Sequence, residues 1–127
     1  MTSDRHQRAF LSGKRAERIA ALWLTLKGYH VLARRHKTPV GEIDLIARRG
    51  RILTFVEVKY RATREQALEA ITSHQQKRIA RAAAYYIGGH PRLAHLAERF
   101  DAILVTPARL PHHAVDVFRV PEGSKIW

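Results

Sequence analysis

The 127-residue chain has no cysteine. That absence excludes disulfide staples, thiolate-bound zinc or iron–sulfur centres and thiol nucleophiles. Glycine and proline are also scarce, at seven and five residues against 46% hydrophobic ones, so neither a low-complexity nor a fibrous chain fits. One domain spanning residues 1–127 is expected. No apolar run reaches bilayer-spanning length, and residues 1–12, with Asp4, Arg5, His6, Gln7 and Arg8, lack the apolar stretch of a secretory signal. Those gaps predict a soluble cytoplasmic protein with no membrane span. The eight histidines, the His112–His113 pair included, show no metal-ligand spacing. Acid is the last scarcity: 11 Asp and Glu stand against 23 Lys and Arg, for a formal charge of +12. DNA, RNA, a ribosome or an acidic membrane surface would each satisfy such a charge, and nucleic acid is the leading expectation because clustered cations gain affinity by releasing its counterions.

Periodicity predicts the elements. Ala16, Ile19, Ala20, Trp23 and Leu24 recur at helical spacing within residues 13–27, with Gly28 as the stop. The run from Ile19 to Leu24 is apolar almost all round, so burial against a sheet is expected, with Trp23 in the core. Tyr29 to Ala33 reads as a short strand, followed by a basic connector of Arg34, Arg35, His36 and Lys37. Gly41–Ala47 and Ile52–Tyr60 read as a hairpin with a basic tip of Arg48, Arg49, Gly50 and Arg51. Alternation places Glu42, Asp44 and Ile46 on one face of the first strand and Ile43, Leu45 and Ala47 on the other. In the second strand Leu53, Phe55, Glu57 and Lys59 oppose Thr54, Val56, Val58 and Tyr60. Two capping boxes follow, Thr63 with Gln66 and Ser73 with Gln76. The second opens a helix with Ile79, Ala80, Ala83, Ala84 and Ile87 on its apolar side and Lys77, Arg78 and Arg81 on its basic side, ended by Gly88, Gly89 and Pro91. Leu93–Glu98 reads as a further helical turn, Phe100–Thr106 as a strand and Val115–Val120 as a short element. Residues 1–12 are expected to be flexible and 107–127 to form a C-terminal extension.

The chemistry lies in the hairpin, where Glu42, Asp44 and Glu57 interrupt strands of Val, Ile, Leu and Phe. A carboxylate there is costly to desolvate unless paired, hydrogen-bonded or bound to a cation. Asp44 and Glu57 can face each other across the strands, and then repel unless a divalent metal or Lys59 sits between them. Period two also sets Glu57 and Lys59 on one face of one strand. Oxygen ligands from Asp44 and Glu57, with the Val58 carbonyl, suit Mg²⁺ or Mn²⁺, while Lys59 can steady an attacking water or a phosphate charge. A strand-end salt bridge is the structural alternative. Arg34, Arg35, Lys37, Arg48, Arg49, Arg51, Arg61, Lys77, Arg78 and Arg81 are the candidate phosphate contacts. Gln75 and Gln76 read as helix caps, and Asp101 as an anchor for Arg99 or a nearby basic loop.

These residues have a recognisable order: Gly13, Ala16, Glu17 and Ala20; Gly28 and Tyr29; Gly41-Glu42-Ile43-Asp44-Leu45-Ile46-Ala47; Phe55-Val56-Glu57-Val58-Lys59; Lys77 with Arg78; and Arg99-Phe100-Asp101. The pattern, over roughly residues 9 to 106, resembles the uncharacterised YraN-like family of small bacterial proteins, which is similar to Holliday junction resolvases and other PD-(D/E)xK nucleases. The resemblance implies an α/β fold with a restriction endonuclease-like core, a mixed central sheet flanked by helices. It also implies that Asp44, Glu57 and Lys59 fall on catalytic positions, with Glu17 assisting from the first helix, where it shares a face with Ala20, Ala21 and Leu24. A homodimer acting on branched or structured DNA is part of the same implication. The proline that many of these nucleases carry before the Asp is missing, since Val40, Gly41, Glu42 and Ile43 precede Asp44. The rival expectation is a non-catalytic nucleic-acid-binding protein on the same fold, its acids serving as structural ion pairs.

Overall fold

The computed structural model describes the backbone of residues 2–119 and the side chains of residues 13–119. Helix α1 (Thr2–Leu26) leads into strands β1 (His30–Thr38), β2 (Gly41–Arg49) and β3 (Ile52–Tyr60). Helices α2 (Arg64–Glu69) and α3 (Ser73–Gly88) then cross, through a 3₁₀ turn at Pro91–Leu93, to β4 (Ala97–Val105) and the short β5 (His112–Ala114). The five strands form one mixed sheet in the order β1-β2-β3-β4-β5, in which β3 and β4 are parallel and the other neighbours antiparallel.

Helices cover both faces. Ala16, Ala20 and Leu24 of α1 pack on Leu45, Ala47, Val56, Ile103 and Val105. On the other face Ile79, Ala80, Ala82, Ala83 and Tyr86 of α3 cover Ile43, Ile46, Leu53, Phe55 and Leu104. Doubly covered central strands need apolar side chains on both sides, which accounts for the unbroken runs in β3 and β4. Among the described residues no helix is long and apolar enough to cross a membrane.

Several sequence expectations change, each for a tertiary reason. The basic stretch Arg34–Lys37 is strand, not connector: β1 runs through it, paired with β2 from His30↔Arg48 to Thr38↔Gly41. An edge strand can carry cations because one side faces water. Leu93–Glu98 is not helical beyond the 3₁₀ turn, because β3 offers its free edge and the Ala97 N–H donates to the Arg51 carbonyl at 2.8 Å. The last short element is β5 at His112–Ala114 rather than Val115–Val120; Phe118 instead stacks on Phe100, and Val120 lies outside the described residues. The cap of α3 is Thr72, whose hydroxyl accepts the Gln75 N–H at 3.2 Å, and not Ser73. Helix α1 begins upstream of Gly13 and is not buried all round: Leu22 is 60% exposed and Trp23 half-buried. Gly28 ends it as predicted, in the left-handed region at φ 88, where a side chain is strained.

Candidate active site

Strands β2 and β3 pair from the hairpin tip as far as Leu45↔Val56. Beyond that point β2 stays with β1 to Gly41, while β3 stays with β4 to Tyr60↔Val105. The two strands therefore part, and Asp44 and Glu57 stand at the fork. Parting frees the Val58 N–H from the ladder, and it donates to Asp44 Oδ2 at 2.8 Å. The two carboxyl groups stand close enough that the charge of each opposes ionisation of the other.

Burial adds to that opposition. The Glu57 side chain is 8% exposed. Its removal from water, with the charge of Asp44 beside it, pushes the Glu57 carboxyl up to about 8 against the pull of Lys59. Asp44 is raised as well, mainly by burial, while its hydrogen bonds with Glu57 and Val58 oppose the shift. Lys59 Nζ lies 3.4 Å from Glu57 Oε1. It also reaches α3: with the Gln75 amide oriented to satisfy both ends, its nitrogen donates to the Ala70 carbonyl and its oxygen accepts from Lys59 Nζ, each at 3.0 Å. Sequence reasoning gave Gln75 only a capping role. Nothing local betrays its reach, because the crossover from β3 is what brings the start of α3 beside the fork.

The donor set suits a hard divalent cation. A half-buried and a buried carboxyl that resist being charged together are relieved by a cation between them, and Mg²⁺ characteristically takes one or two carboxylates and keeps several waters. Among the described residues no group of three or more His, Asp and Glu side chains converges as a full ligand cage. Glu17 is near but otherwise engaged. It lines, with Arg35, Asp44, Glu57, Lys59 and Arg61, a cleft of about 470 Å³, and its carboxylate accepts from Arg35 Nε. Strict alternation fails here. Arg35 is left-handed at φ 49, and opposite it Ile43 and Ile46 join one core cluster, though alternation assigned them to opposite faces.

The other candidate cations are dispersed. Arg78, with Glu42 and His74, lines a second hollow of about 420 Å³ that Asp44 and Glu57 share, so the pair is open on both sides. Lys77 and Arg81 are exposed on α3, and neither lines these two hollows. Arg34 lines a groove between α1 and β1, and Lys37 is exposed on β1. Arg48, Arg49 and Arg51 sit at the hairpin tip, Arg48 and Arg49 about 13 and about 17 Å from Asp44 along β2 at roughly 3.3 Å per residue. Arg49 is occupied there: it donates to the Lys27 carbonyl at 3.2 Å and lies 4.7 Å from the Tyr29 ring centre. Asp101 is the predicted anchor. Fully buried, it accepts from Arg99 at 2.8 Å through both oxygens, from His113 Nε2 at 2.8 Å and from the Asp116 N–H at 2.9 Å. Burial alone pushes its carboxyl up; the hydrogen bonds from His113 and Arg99 outweigh that and hold it well below the usual carboxylate range.

The family model described as "Uncharacterised protein family UPF0102" matches residues 16–105. Those limits, in α1 and β4, enclose Glu17, Asp44, Glu57, Lys59 and Gln75. The chain is 51% identical over 122 residues to a UPF0102 protein of Paramagnetospirillum magneticum, covering 93% of this chain and 95% of the relative. It is 52% identical over 111 residues to one of Parvibaculum lavamentivorans, covering 87% and 84%. A third, of Nitrobacter winogradskyi, is 49% identical over 110 residues, covering 87% and 93%.

Proposed function

The chain belongs to the uncharacterised protein family UPF0102, and from that premise we propose that it is a divalent-metal-dependent endonuclease that hydrolyses phosphodiester bonds in DNA, branched or structured DNA included. The observation that carries this reading is the meeting of Asp44 and Glu57 at the fork of β2 and β3, with Lys59 on the same strand. A restriction endonuclease-like core fits a mixed sheet covered by helices on both faces.

In this reading Asp44 and Glu57, with the Val58 carbonyl, would hold Mg²⁺ or Mn²⁺. Such a cation would supply charge neutralisation at the phosphate and would make an attacking water easier to deprotonate. The remaining work is done by the chain. Lys59, steadied by the Gln75 amide, orients the attacking water and stabilises charge developing on the phosphate. Holding the cation would require the raised Glu57 carboxyl to be ionised. Arg61 on one side of the pair and Arg78 on the other grip the backbone. Cutting both strands, or a symmetric junction, needs two sites, so a homodimer belongs to this proposal, as does a cytoplasmic location where DNA is met.

The test is to incubate the protein, Asp44→Asn and Lys59→Ala with labelled linear duplex, single-stranded, flap and four-way-junction DNA in Mg²⁺ or Mn²⁺. Cleavage by the unaltered chain is expected, falling by about 10²–10⁴-fold in both variants, the scale for losing a positioned catalytic group. Binding of these DNAs with steep salt dependence and no cleavage would overturn the nuclease reading in favour of a binding protein with a structural acidic pair.

A further inference from the structure

Glu17 and Arg35 stand over the same fork, and their arrangement goes beyond the assignment of catalytic groups. Glu17 comes from α1 and Arg35 from β1, and both line the cleft that holds Asp44 and Glu57. Glu17 is the third acid of that cleft, yet its carboxylate is turned to the Arg35 guanidinium and not to the acidic pair. The backbone shows how Arg35 gets there. Arg34 lines the groove on the α1 side, whereas His36 meets the Tyr86 ring of α3 at 5.0 Å between ring centres. Regular alternation would place Arg34 and His36 on one face. The left-handed residue between them breaks that rule, so that Arg34 and Arg35 both serve the α1 side. Such a conformation is unfavourable for a residue with a Cβ and persists where the surroundings enforce it, characteristically at functional sites.

The contact that Arg35 gains is one that can be given up. Its side chain is 44% exposed and that of Glu17 19%, and an ion pair in contact with water holds weakly. Each partner has a stronger alternative within reach. A guanidinium binds a phosphate bidentately, and Lys59 and Arg61 on the same cleft draw phosphate to it. A carboxylate at the mouth of a divalent-cation site is a natural further oxygen ligand.

Resting on the nuclease reading, we propose that the Glu17–Arg35 ion pair is an exchangeable clasp: a DNA phosphate takes Arg35 from Glu17 and a divalent cation takes Glu17 from Arg35, so that each ligand strengthens binding of the other. The coupling is reciprocal by thermodynamic necessity, because both ligands break the same pair and the second to arrive finds it already broken.

The experiment measures the dissociation constant of a labelled four-way junction by fluorescence anisotropy at fixed ionic strength, in EDTA and in Ca²⁺, so that no cleavage is read. Glu17→Gln, Arg35→Gln and the double variant are compared with the unaltered chain. In EDTA, Glu17→Gln is expected to bind about fivefold more tightly than the unaltered chain, at the low end of typical couplings because the pair is exposed, and to gain less from Ca²⁺. In the Arg35→Gln background the same Glu17→Gln change is expected to do nothing. Equal tightening in both backgrounds would mean that Glu17 merely repels DNA, and the clasp would be wrong. Unchanged affinity on losing the Arg35 guanidinium would overturn it too. If Arg35→Gln unfolds, as judged by circular dichroism, Arg35→Ala and its double with Glu17→Gln complete the cycle, and Arg35→Lys is expected to retain part of the coupling. Cleavage in Mg²⁺ with no such coupling sinks the clasp alone; coupling without cleavage sinks the nuclease reading alone.

Discussion

At the scale of single residues, the Asp44–Glu57 pair makes a prediction of definite sign. Glu57 has its ordinary value near 4.5 in the unfolded chain and about 8 in the fold. A raised folded-state value favours the fold fully below the unfolded value and is lost as pH climbs through the folded one. In EDTA the melting temperature should therefore fall between about pH 4.5 and 8 through this pair, and Asp44→Asn should flatten that slope. A slope unchanged in the variant would show that Asp44 does not raise the Glu57 carboxyl. The proton that Glu57 holds at neutral pH must leave if a cation is to bind there. Isothermal titration with Mn²⁺ at pH 7, in two buffers of different ionisation enthalpy, should report a net release approaching one proton, with affinity rising toward pH 8 and levelling above it. Asp101 behaves oppositely in kind: it is already satisfied by Arg99, His113 and the Asp116 amide. Asp101→Ala leaves Arg99 and His113 facing an empty buried position and should cost about 3–5 kcal/mol in urea denaturation, the scale for breaking a buried pair.

At the scale of elements, the position of α3 governs the site as well as the core. Its cap is Thr72, and the first turn carries Gln75 to Lys59. Thr72→Ala should cost about 1 kcal/mol and loosen Gln75, whereas Ser73→Ala, though Ser73 matches the capping-box pattern, should cost no more than a few tenths. Equal losses in chemical denaturation would contradict the assignment of the cap. Helix α1 offers a matching contrast. Leu24 is fully buried between the helix and the sheet, so Leu24→Ala should cost about 2–5 kcal/mol, while Leu22→Ala, two residues away and 60% exposed, should be close to neutral. The element pattern was legible where periodicity is strong. It identified the first half of β1, β2, β3 and the apolar face of α3, and failed at the second half of β1 and the start of β4, where a cationic stretch and a helix-like stretch become strand because a neighbouring strand offers an open edge.

At the scale of the molecule, the charge of +12 is not one uniform binding surface. Arg61 and Arg78 flank the acidic pair, while Arg49 is held by Tyr29 and the Lys27 carbonyl at the far end of the same strands. Arg78→Gln should lower the slope of log affinity for DNA against log salt by about 0.9, one phosphate contact, while Arg49→Gln should lower stability and leave that slope alone. A smaller slope on losing Arg49 would place DNA along the whole hairpin. Composition by itself determined the lack of thiol chemistry and the strongly basic character, because these are sums over residues and do not depend on where the chain puts them. Local order determined that Asp44, Glu57 and Lys59 belong to paired strands, since a hairpin and a period of two bring them near without help from the rest of the chain. Tertiary structure alone decided that β2 and β3 fork at Asp44, that Arg35 turns left-handed to meet Glu17, and that α3 delivers Gln75 to Lys59. Each of those features needs an element outside the β2–β3 hairpin, β4, α1 or α3, and each arises as helices cover opposite faces of one mixed sheet.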